Sequence, residues 1–273
     1  MAVTMADIQH LRKMTGAGMM DCKSALTEAN GDFDKALEII RKKGQAVAAK
    51  REDRDASEGC VLAKTENDFA AVVALQCETD FVAKNEDYIA LTQQILDLAV
   101  NKKPESIEAL LALELDKDTV QEVITDKMAS TGEKMEIGYF ESLTAPYVTS
   151  YIHMGNKLAT IVGFNKADVD ESVARDVAMQ IAAMNPVAIT PETIPAEVKE
   201  KELKIARDKA REAGKPENLL DRIAEGSLQK FYKDYTLLQQ DYVKDPKKTI
   251  GQLLSESDKE LEVVSFKRVS LNV

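Results

Sequence analysis

The chain has 273 residues, with 36 Lys or Arg against 47 Asp or Glu, so its formal net charge is −11. This acidic balance argues against nucleic acid as the main partner, because neutralising phosphates requires a basic face, and it argues against docking on an anionic membrane, so we expect neither as a partner. No apolar run approaches the roughly 20 residues of a membrane span. The first residues lack the pattern of a signal or transit peptide, and the odd number of cysteines, 3, suits a reducing compartment, so we predict a cytoplasmic protein.

The first part of the chain predicts a small helical module. Thr4 and Asp7 have the spacing of a capping box, which marks the start of a helix. Apolar residues then recur at helical spacing in three short segments separated by glycines. We interpret residues 1–44 as a three-helix module that ends at Gly44, a residue typical of helix C-termini. The charged stretch 45–58 is expected to be a linker or a solvated helix.

Residues 59–144 predict the first core subdomain, of α+β type. Two β-rich runs over 61–78 flank a short polar turn, which is the pattern of a hairpin. An apolar stripe at helical spacing follows the hairpin, and residues 106–130 carry two further helical stretches. The alternating segment 134–143 predicts another strand.

The same order of elements then returns. Residues 149–164 again predict a hairpin, and a helical stripe again follows it. Residues 158–162 match residues 69–73, which gives an internal repeat with a period near 89 residues. We therefore predict a second, related α+β subdomain formed by 145–186 and 227–273.

An inserted helical hairpin is predicted between the two parts of the second subdomain. Residues 187–226 contain two charged segments with narrow apolar stripes around a turn at 214–216, the pattern of a protruding coiled-coil hairpin. By default such a hairpin is a solvated projection. A short helix over 246–255 and a closing strand over 261–272 complete the predicted α+β fold.

The residues argue against covalent chemistry. The two histidines, His10 and His153, do not lie near a cysteine in a metal-ligand spacing, and no serine lies in a nucleophile elbow. A phosphate-binding loop is excluded because Cys22, not glycine, precedes Lys23. We expect no metal, no cofactor and no catalytic residue, so the chain is predicted not to be an enzyme. Acid–base chemistry by a pair of carboxylates stays open as an alternative.

Three stretches nevertheless carry a specific resemblance. They are LRKMTGAGMMDCKSALTEANGD (11–32), CETDFVAKN (77–85) and KKTIGQLL (247–254). Together they resemble the bacterial translation elongation factor Ts family, and the resemblance extends over essentially the whole chain. It implies a fold like that of ubiquitin-associated (UBA) domains for residues 1–44.

The resemblance also implies a function. Members of this family are guanine nucleotide exchange factors: they bind elongation factor Tu with GDP, disturb its magnesium and phosphate site, and promote GDP release so that GTP can bind. They bind no nucleotide themselves. The invading element in the family matches five consecutive residues here: Thr79, Asp80, Phe81, Val82 and Ala83. Asp80 and Phe81 match the pair that enters beside the partner's magnesium and phosphates.

Further partner contacts follow from the same resemblance. Gly132 and His153 match contact residues of the family, and the helical hairpin implies a possible homodimer or 2:2 complex. From the residues alone, Met19 and Met20 are either adaptable interface residues or core. Phe81 alone would be read as core, and His153 as a hairpin side chain with no task. The alternative function is a non-catalytic adaptor that binds partners through its N-terminal module.

Overall fold

The computed structural model describes residues 3–271, without the side chains of residues 47 and 48. Its centre consists of four layers, with two three-stranded antiparallel sheets packed face to face and helices covering the outer face of each sheet. A three-helix module precedes these layers, and a long helical hairpin is inserted in the second half. The arrangement agrees with the predicted α+β class.

The N-terminal module consists of α1 (Met5–Thr15), α2 (Met19–Glu28) and α3 (Phe33–Ala49). The capping box of Thr4 and Asp7 is present as predicted. The predicted stop at Gly44 is wrong, because α3 continues through this residue to Ala49. Residues 45–49 of the predicted linker are therefore helical. Residues 1 and 2 of the predicted module lie outside the described residues.

The first sheet has the strand order β1-β2-β5, with helices on its outer face. Its strands are β1 (Glu58–Glu66), β2 (Phe69–Cys77) and β5 (Met135–Thr144). The elements between β2 and β5 are α4 (Asp80–Ala83), α5 (Glu86–Lys102), α6 (Ile107–Leu111), the two-residue strands β3 (Glu114–Leu115) and β4 (Asp118–Thr119), and α7 (Val120–Thr131). The predicted hairpin, helices and strand are confirmed, and the small β3–β4 hairpin was not predicted.

The second sheet has the order β10-β7-β6. Its strands are β6 (Tyr147–Ile152), β7 (Leu158–Phe164) and β10 (Val263–Ser270). Its outer face is covered by α8 (Glu171–Met184) and α11 (Ile250–Ser257), and a small hairpin of β8 (Asp241–Tyr242) and β9 (Asp245–Thr249) precedes α11. Residue 272 of the predicted closing strand lies outside the described residues.

The two sheets have the same topology. In each sheet a hairpin supplies one edge strand and the central strand, a helix follows, and a later strand pairs antiparallel with the central strand on its other side. The segments matched in the sequence, 69–73 and 158–162, lie in the two central strands, β2 and β7. This common topology is what the predicted repeat requires.

Small apolar side chains fill the space between the two sheets. Alternate residues of β2, among them Ala70, Val72 and Ala74, face Ala159 and Ile161 of β7 in this inner layer. The other face of β2 packs against α5. Because both faces of each central strand are buried, these strands are almost continuously apolar and do not alternate.

The helical hairpin is longer than predicted. It consists of α9 (Ala196–Glu212) and α10 (Leu220–Tyr235), so the predicted boundary at residue 226 falls inside a helix. Its two ends meet at the core, where Ala188 and Thr236 form a parallel bridge. Among the described residues, no helix has both the length and the apolar character needed to cross a membrane.

Candidate functional site

Phe81 lies at an exposed tip of the first subdomain. Its side chain is 84% exposed, the largest exposed fraction of any phenylalanine among the described residues. It belongs to α4, a single helical turn that starts directly after β2. Thr79 caps this turn, because its side chain accepts a hydrogen bond from Val82 N. Asn85 caps the next helix in the same way, so the chain reverses immediately after the tip.

The neighbours of Phe81 point inward. Cys77 and Ala83 are buried, and Val82 packs partly against the core of the first subdomain. Phe81 is thus the one large apolar side chain of this turn that faces solvent. The interpretation of Phe81 as core, which its residue type alone favours, is wrong for this reason.

Asp80 is paired within the same turn. Its carboxylate accepts a hydrogen bond from Lys84 Nζ at 2.6 Å. This hydrogen bond and the charge of Lys84 lower the pKa of Asp80, with a further contribution from the charge of Lys157. Lys157 follows the turn between β6 and β7, so the second subdomain contributes positive charge near Asp80.

A carboxylate from another part of the chain holds the start of α4. Glu133 accepts hydrogen bonds from both donors of Thr79: from the backbone amide at 3.0 Å and from the hydroxyl at 2.6 Å. Glu133 follows Gly132, which ends α7 with a φ of +76°. A left-handed backbone of this kind favours glycine. Gly132 therefore lies next to the residue that contacts the tip.

A second carboxylate ties the linker to the tip. Glu78 is paired with Arg51 at 3.2 Å and with Arg54 at 3.0 Å, and it accepts a hydrogen bond from Lys134 N at 2.7 Å. Burial opposes ionisation of Glu78, but the bonds from Lys134 N and the two arginines lower its pKa below the ordinary value. Gln76 Nε2 also donates to Ala56 O at 2.9 Å. The linker is thus docked on the core beside Phe81.

A cleft connects the tip to the N-terminal module. It has a volume of about 290 Å³ and is lined by Gly16, Phe81, Lys127 and Thr131, among others. Gly16 closes α1, and α2 begins at Met19 soon afterwards. Met19 and Met20 are 40% and 73% exposed, so the interpretation of these two residues as core is wrong.

His153 lies in the turn between β6 and β7 of the second subdomain. It is exposed, and its Nδ1 lies 3.1 Å from the hydroxyl of Tyr151. The next residue, Met154, is 90% exposed.

Several residues of the site were missed by sequence reasoning. These residues are Glu78, Glu133, Arg51 and Arg54. Charged residues are frequent in this chain, and nothing in the neighbouring sequence distinguishes these four as site residues. Their partners lie far away in sequence, as in the Thr79–Glu133 contact, which joins residues 54 apart.

Within residues 3–271, no group of three His, Cys, Asp or Glu side chains is placed to hold a metal ion. His10 packs edge-on against Phe33, with ring centroids 5.4 Å apart. The tip instead combines an exposed aromatic ring with a paired carboxylate, an arrangement suited to contact with another macromolecule.

Known proteins resemble this chain closely. The family model described as "Elongation factor TS" matches residues 78–272. The chain is 62% identical to Elongation factor Ts of Porphyromonas gingivalis, over 100% of this chain and 99% of that protein. It is 56% identical to Elongation factor Ts of Azobacteroides pseudotrichonymphae over the full length of both chains. It is 47% identical to that of Bacteroides thetaiotaomicron, over 99% of each chain.

Proposed function

The chain belongs to the elongation factor Ts family, and on that premise we propose that it is the guanine nucleotide exchange factor of elongation factor Tu. In this proposal it binds elongation factor Tu with GDP, disturbs the magnesium and phosphate site, and promotes GDP release so that GTP can bind. It acts in the cytoplasm, where translation takes place. It holds no nucleotide itself and makes or breaks no covalent bond.

The observation that carries the proposal is the exposure of Phe81 on a helical turn that packs against the core on its other side. Exposure of an apolar ring to water is unfavourable, and the Phe81 ring is 84% exposed, so covering it with a partner surface lowers the free energy. The ring stands on a capped helical turn whose Val82 and Ala83 side chains pack against the core. This combination suits insertion into a partner.

The energetics agree with a wedge that acts together with a wider interface. Exchange requires that the chain bind the nucleotide-free partner more tightly than the nucleotide-loaded partner. By linkage, the chain then lowers the affinity of the partner for the nucleotide by the same factor. Burial of one phenylalanine contributes roughly 1.5–3 kcal/mol. Since each tenfold change in affinity needs about 1.4 kcal/mol, burial of Phe81 alone can lower the nucleotide affinity by roughly 10- to 100-fold. Faster exchange needs the other contacts as well.

Asp80 is proposed to act on the magnesium and phosphates through its charge. Asp80 is an ionised carboxylate at neutral pH, and in the free chain the hydrogen bond from Lys84 lowers its pKa further. Brought beside the partner's phosphates, a carboxylate repels them or draws on the magnesium ion, and either effect weakens nucleotide binding.

The remaining site residues are proposed as a wider contact surface. Met19 and Met20 are exposed and follow Gly16, which lines the cleft shared with Phe81. Gly132 directly precedes Glu133, whose carboxylate binds Thr79. His153 belongs to the second subdomain and offers a separate contact. The helical hairpin is proposed as the surface for a homodimer or a 2:2 complex.

Release of a fluorescent GDP analogue from elongation factor Tu, followed by stopped flow with and without this chain, tests the proposal. We expect the chain to accelerate release by at least about tenfold, the effect of the Phe81 ring alone. Binding without acceleration would contradict the exchange function and favour the adaptor alternative. Turnover of a small substrate by the isolated chain would favour an enzyme.

A further inference from the structure

We infer that Glu133 is a positioning residue: its carboxylate fixes the start of α4 so that Phe81 is presented in one orientation. This inference deepens the proposed function and rests on it. Glu133 acts through Thr79 and does not itself contact the nucleotide site. Its effect on exchange is therefore indirect, through the placement of the Phe81 ring.

The first step of the argument is that α4 cannot hold itself. Four residues form a single helical turn, which is far too short to be stable alone in water. Phe81 gains no support from its own packing, because its side chain is 84% exposed. Ala83 and Val82 anchor one end of the turn, so the other end needs a different restraint.

Glu133 supplies that restraint at the N-cap. Its two carboxylate oxygens bind the backbone amide of Thr79 at 3.0 Å and the Thr79 hydroxyl at 2.6 Å. Hydrogen bonds to a charged acceptor are stronger than neutral ones. The residue that starts α4 is thus held by two charge-assisted bonds from a different part of the chain.

The contact is reciprocal. Glu133 binds the amide of Thr79, while Glu78 binds the amide of Lys134 at 2.7 Å. Two neighbouring residues of one segment therefore exchange side-chain-to-backbone bonds with two neighbouring residues of the other. Gly132 makes this possible, since its φ of +76° turns the chain out of α7 directly before Glu133. We assign Gly132 this backbone role in addition to its proposed partner contact.

Fixing α4 in the free chain lowers the cost of inserting Phe81. A side chain that is already placed loses less conformational freedom on binding than a mobile one. The other proposed contacts, at the N-terminal module and at His153, do not depend on Glu133. Loss of the two Glu133–Thr79 hydrogen bonds should therefore reduce the rate constant of GDP release in the complex and leave the affinity for elongation factor Tu nearly unchanged.

The first experiment compares kcat and KM of exchange for Glu133→Ala with the wild type. We expect kcat to fall about tenfold, the scale of a lost charged hydrogen-bond pair, with KM changed by less than about twofold. Glu133→Gln keeps one acceptor oxygen and should recover part of the rate. Glu122→Ala is the matched control, because Glu122 accepts from the amide and hydroxyl of Thr119 at 2.8 and 2.9 Å, at the opposite end of α7.

The second experiment needs no partner. The chain contains no tryptophan, so Phe81→Trp places a single indole at the tip. We expect time-resolved anisotropy of the free protein to show a slowly rotating indole, and a clearly faster local rotation when Glu133→Ala is added. Adding Glu122→Ala should leave the decay unchanged.

The outcomes separate the two claims. An indole whose anisotropy does not respond to Glu133→Ala overturns the positioning role, whatever the exchange assay gives. A kcat for Glu133→Ala equal to that of Glu122→Ala, or a loss confined to KM, also overturns it. If the wild type does not accelerate GDP release, the proposed function fails, and with it the link between the Glu133–Thr79 contact and exchange. If Glu133→Ala does not fold by circular dichroism, the same comparisons are decided by Glu133→Gln.

Discussion

Gly44 of α3 lies directly against Ala129 of α7. A β-carbon at Gly44 would come within 3.1 Å of Ala129 Cβ, which is tighter than most β-carbon contacts and would require a small displacement of the neighbouring helix. This contact joins the N-terminal module to the first subdomain. A glycine that the sequence marks as a helix end in fact lies inside α3, at a close contact with α7.

A larger side chain at Gly44 should therefore separate the module from the core. We expect Gly44→Leu to cost about 1–3 kcal/mol by overpacking, measured as a lower midpoint of urea unfolding. Affinity for elongation factor Tu should fall with it. The matched control is Gly226→Leu in α10, where a β-carbon meets no atom within 4 Å. Unchanged affinity for Gly44→Leu would show that docking of the module does not matter for binding.

Phe81→Ala should reduce exchange and leave stability intact. Removal of a ring that is 84% exposed is expected to change the free energy of unfolding by less than about 0.5 kcal/mol. The same change should slow GDP release by roughly 10- to 100-fold. Tyr139→Ala removes another exposed aromatic ring, on β5, and serves as the control. Exchange that survives Phe81→Ala would keep the function and discard the wedge.

The Asp80–Lys84 pair predicts a titration that can be observed directly. Because the bond from Lys84 lowers the pKa of Asp80, Lys84→Gln should raise that pKa toward its ordinary value of 3.8. The small stabilisation from the pair is present above the unfolded pKa and is lost as the pH falls through the lowered folded pKa. Carboxyl chemical shifts of Asp80 followed by NMR measure this. A pKa of Asp80 that is the same in both proteins would contradict the pairing in solution.

Asp126 predicts the opposite behaviour. It faces the docked α3, with Arg41, Asp118 and Glu122 as its charged neighbours, and burial raises its pKa. Ionisation of Asp126 therefore destabilises the folded chain at neutral pH. This effect shrinks as the pH falls through the raised folded pKa and is gone only below the ordinary, unfolded pKa of 3.8. Asp126→Asn should raise Tm at pH 7 by roughly 1–3 °C.

The control for this change is Asp234→Asn, which alters an exposed carboxylate on α10 and should leave Tm unchanged. Thermal unfolding at pH 7 and again at pH 4 gives the comparison. The gain from Asp126→Asn should shrink at the lower pH. A gain that is equal at both pH values would show that relief of a buried charge is not its cause.

The helical hairpin should be removable. Its ends are joined at the core by the Ala188–Thr236 bridge and by the bond from Val187 N to Tyr235 O at 2.9 Å. Replacing residues 196–231 with a short Gly-Ser loop should therefore change Tm of the remainder by less than roughly 3 °C. Light scattering on both proteins measures whether the hairpin holds two copies together. A core that fails to fold after excision would contradict the independence of the hairpin.

Much of the fold could be predicted because its signals are local. The capping box at Thr4, the turn between β1 and β2, and the stripe of α5 all depend on spacings within a few residues. The repeat was visible because the two central strands are buried on both faces and so have a similar apolar pattern. The tip sequence around Phe81 was found by its resemblance to a family.

What could not be predicted depends on distant contacts. The role of Gly44 is set by Ala129, and the start of α4 is set by Glu133. Glycine fits both a helix end and a close helix crossing, so its own neighbourhood does not decide between them. A glutamate in an acidic chain has many possible partners, and only the folded chain selects one.

The bridge between Ala188 and Thr236 has a consequence for how such a chain changes over evolutionary time. Because the hairpin enters and leaves the core at one point, residues gained or lost within it do not alter the distance that the core must span. Selection on the layered core is thereby separated from selection on the hairpin. Residues can be added to, removed from or exchanged within this projection while the chain re-enters the core at the same place.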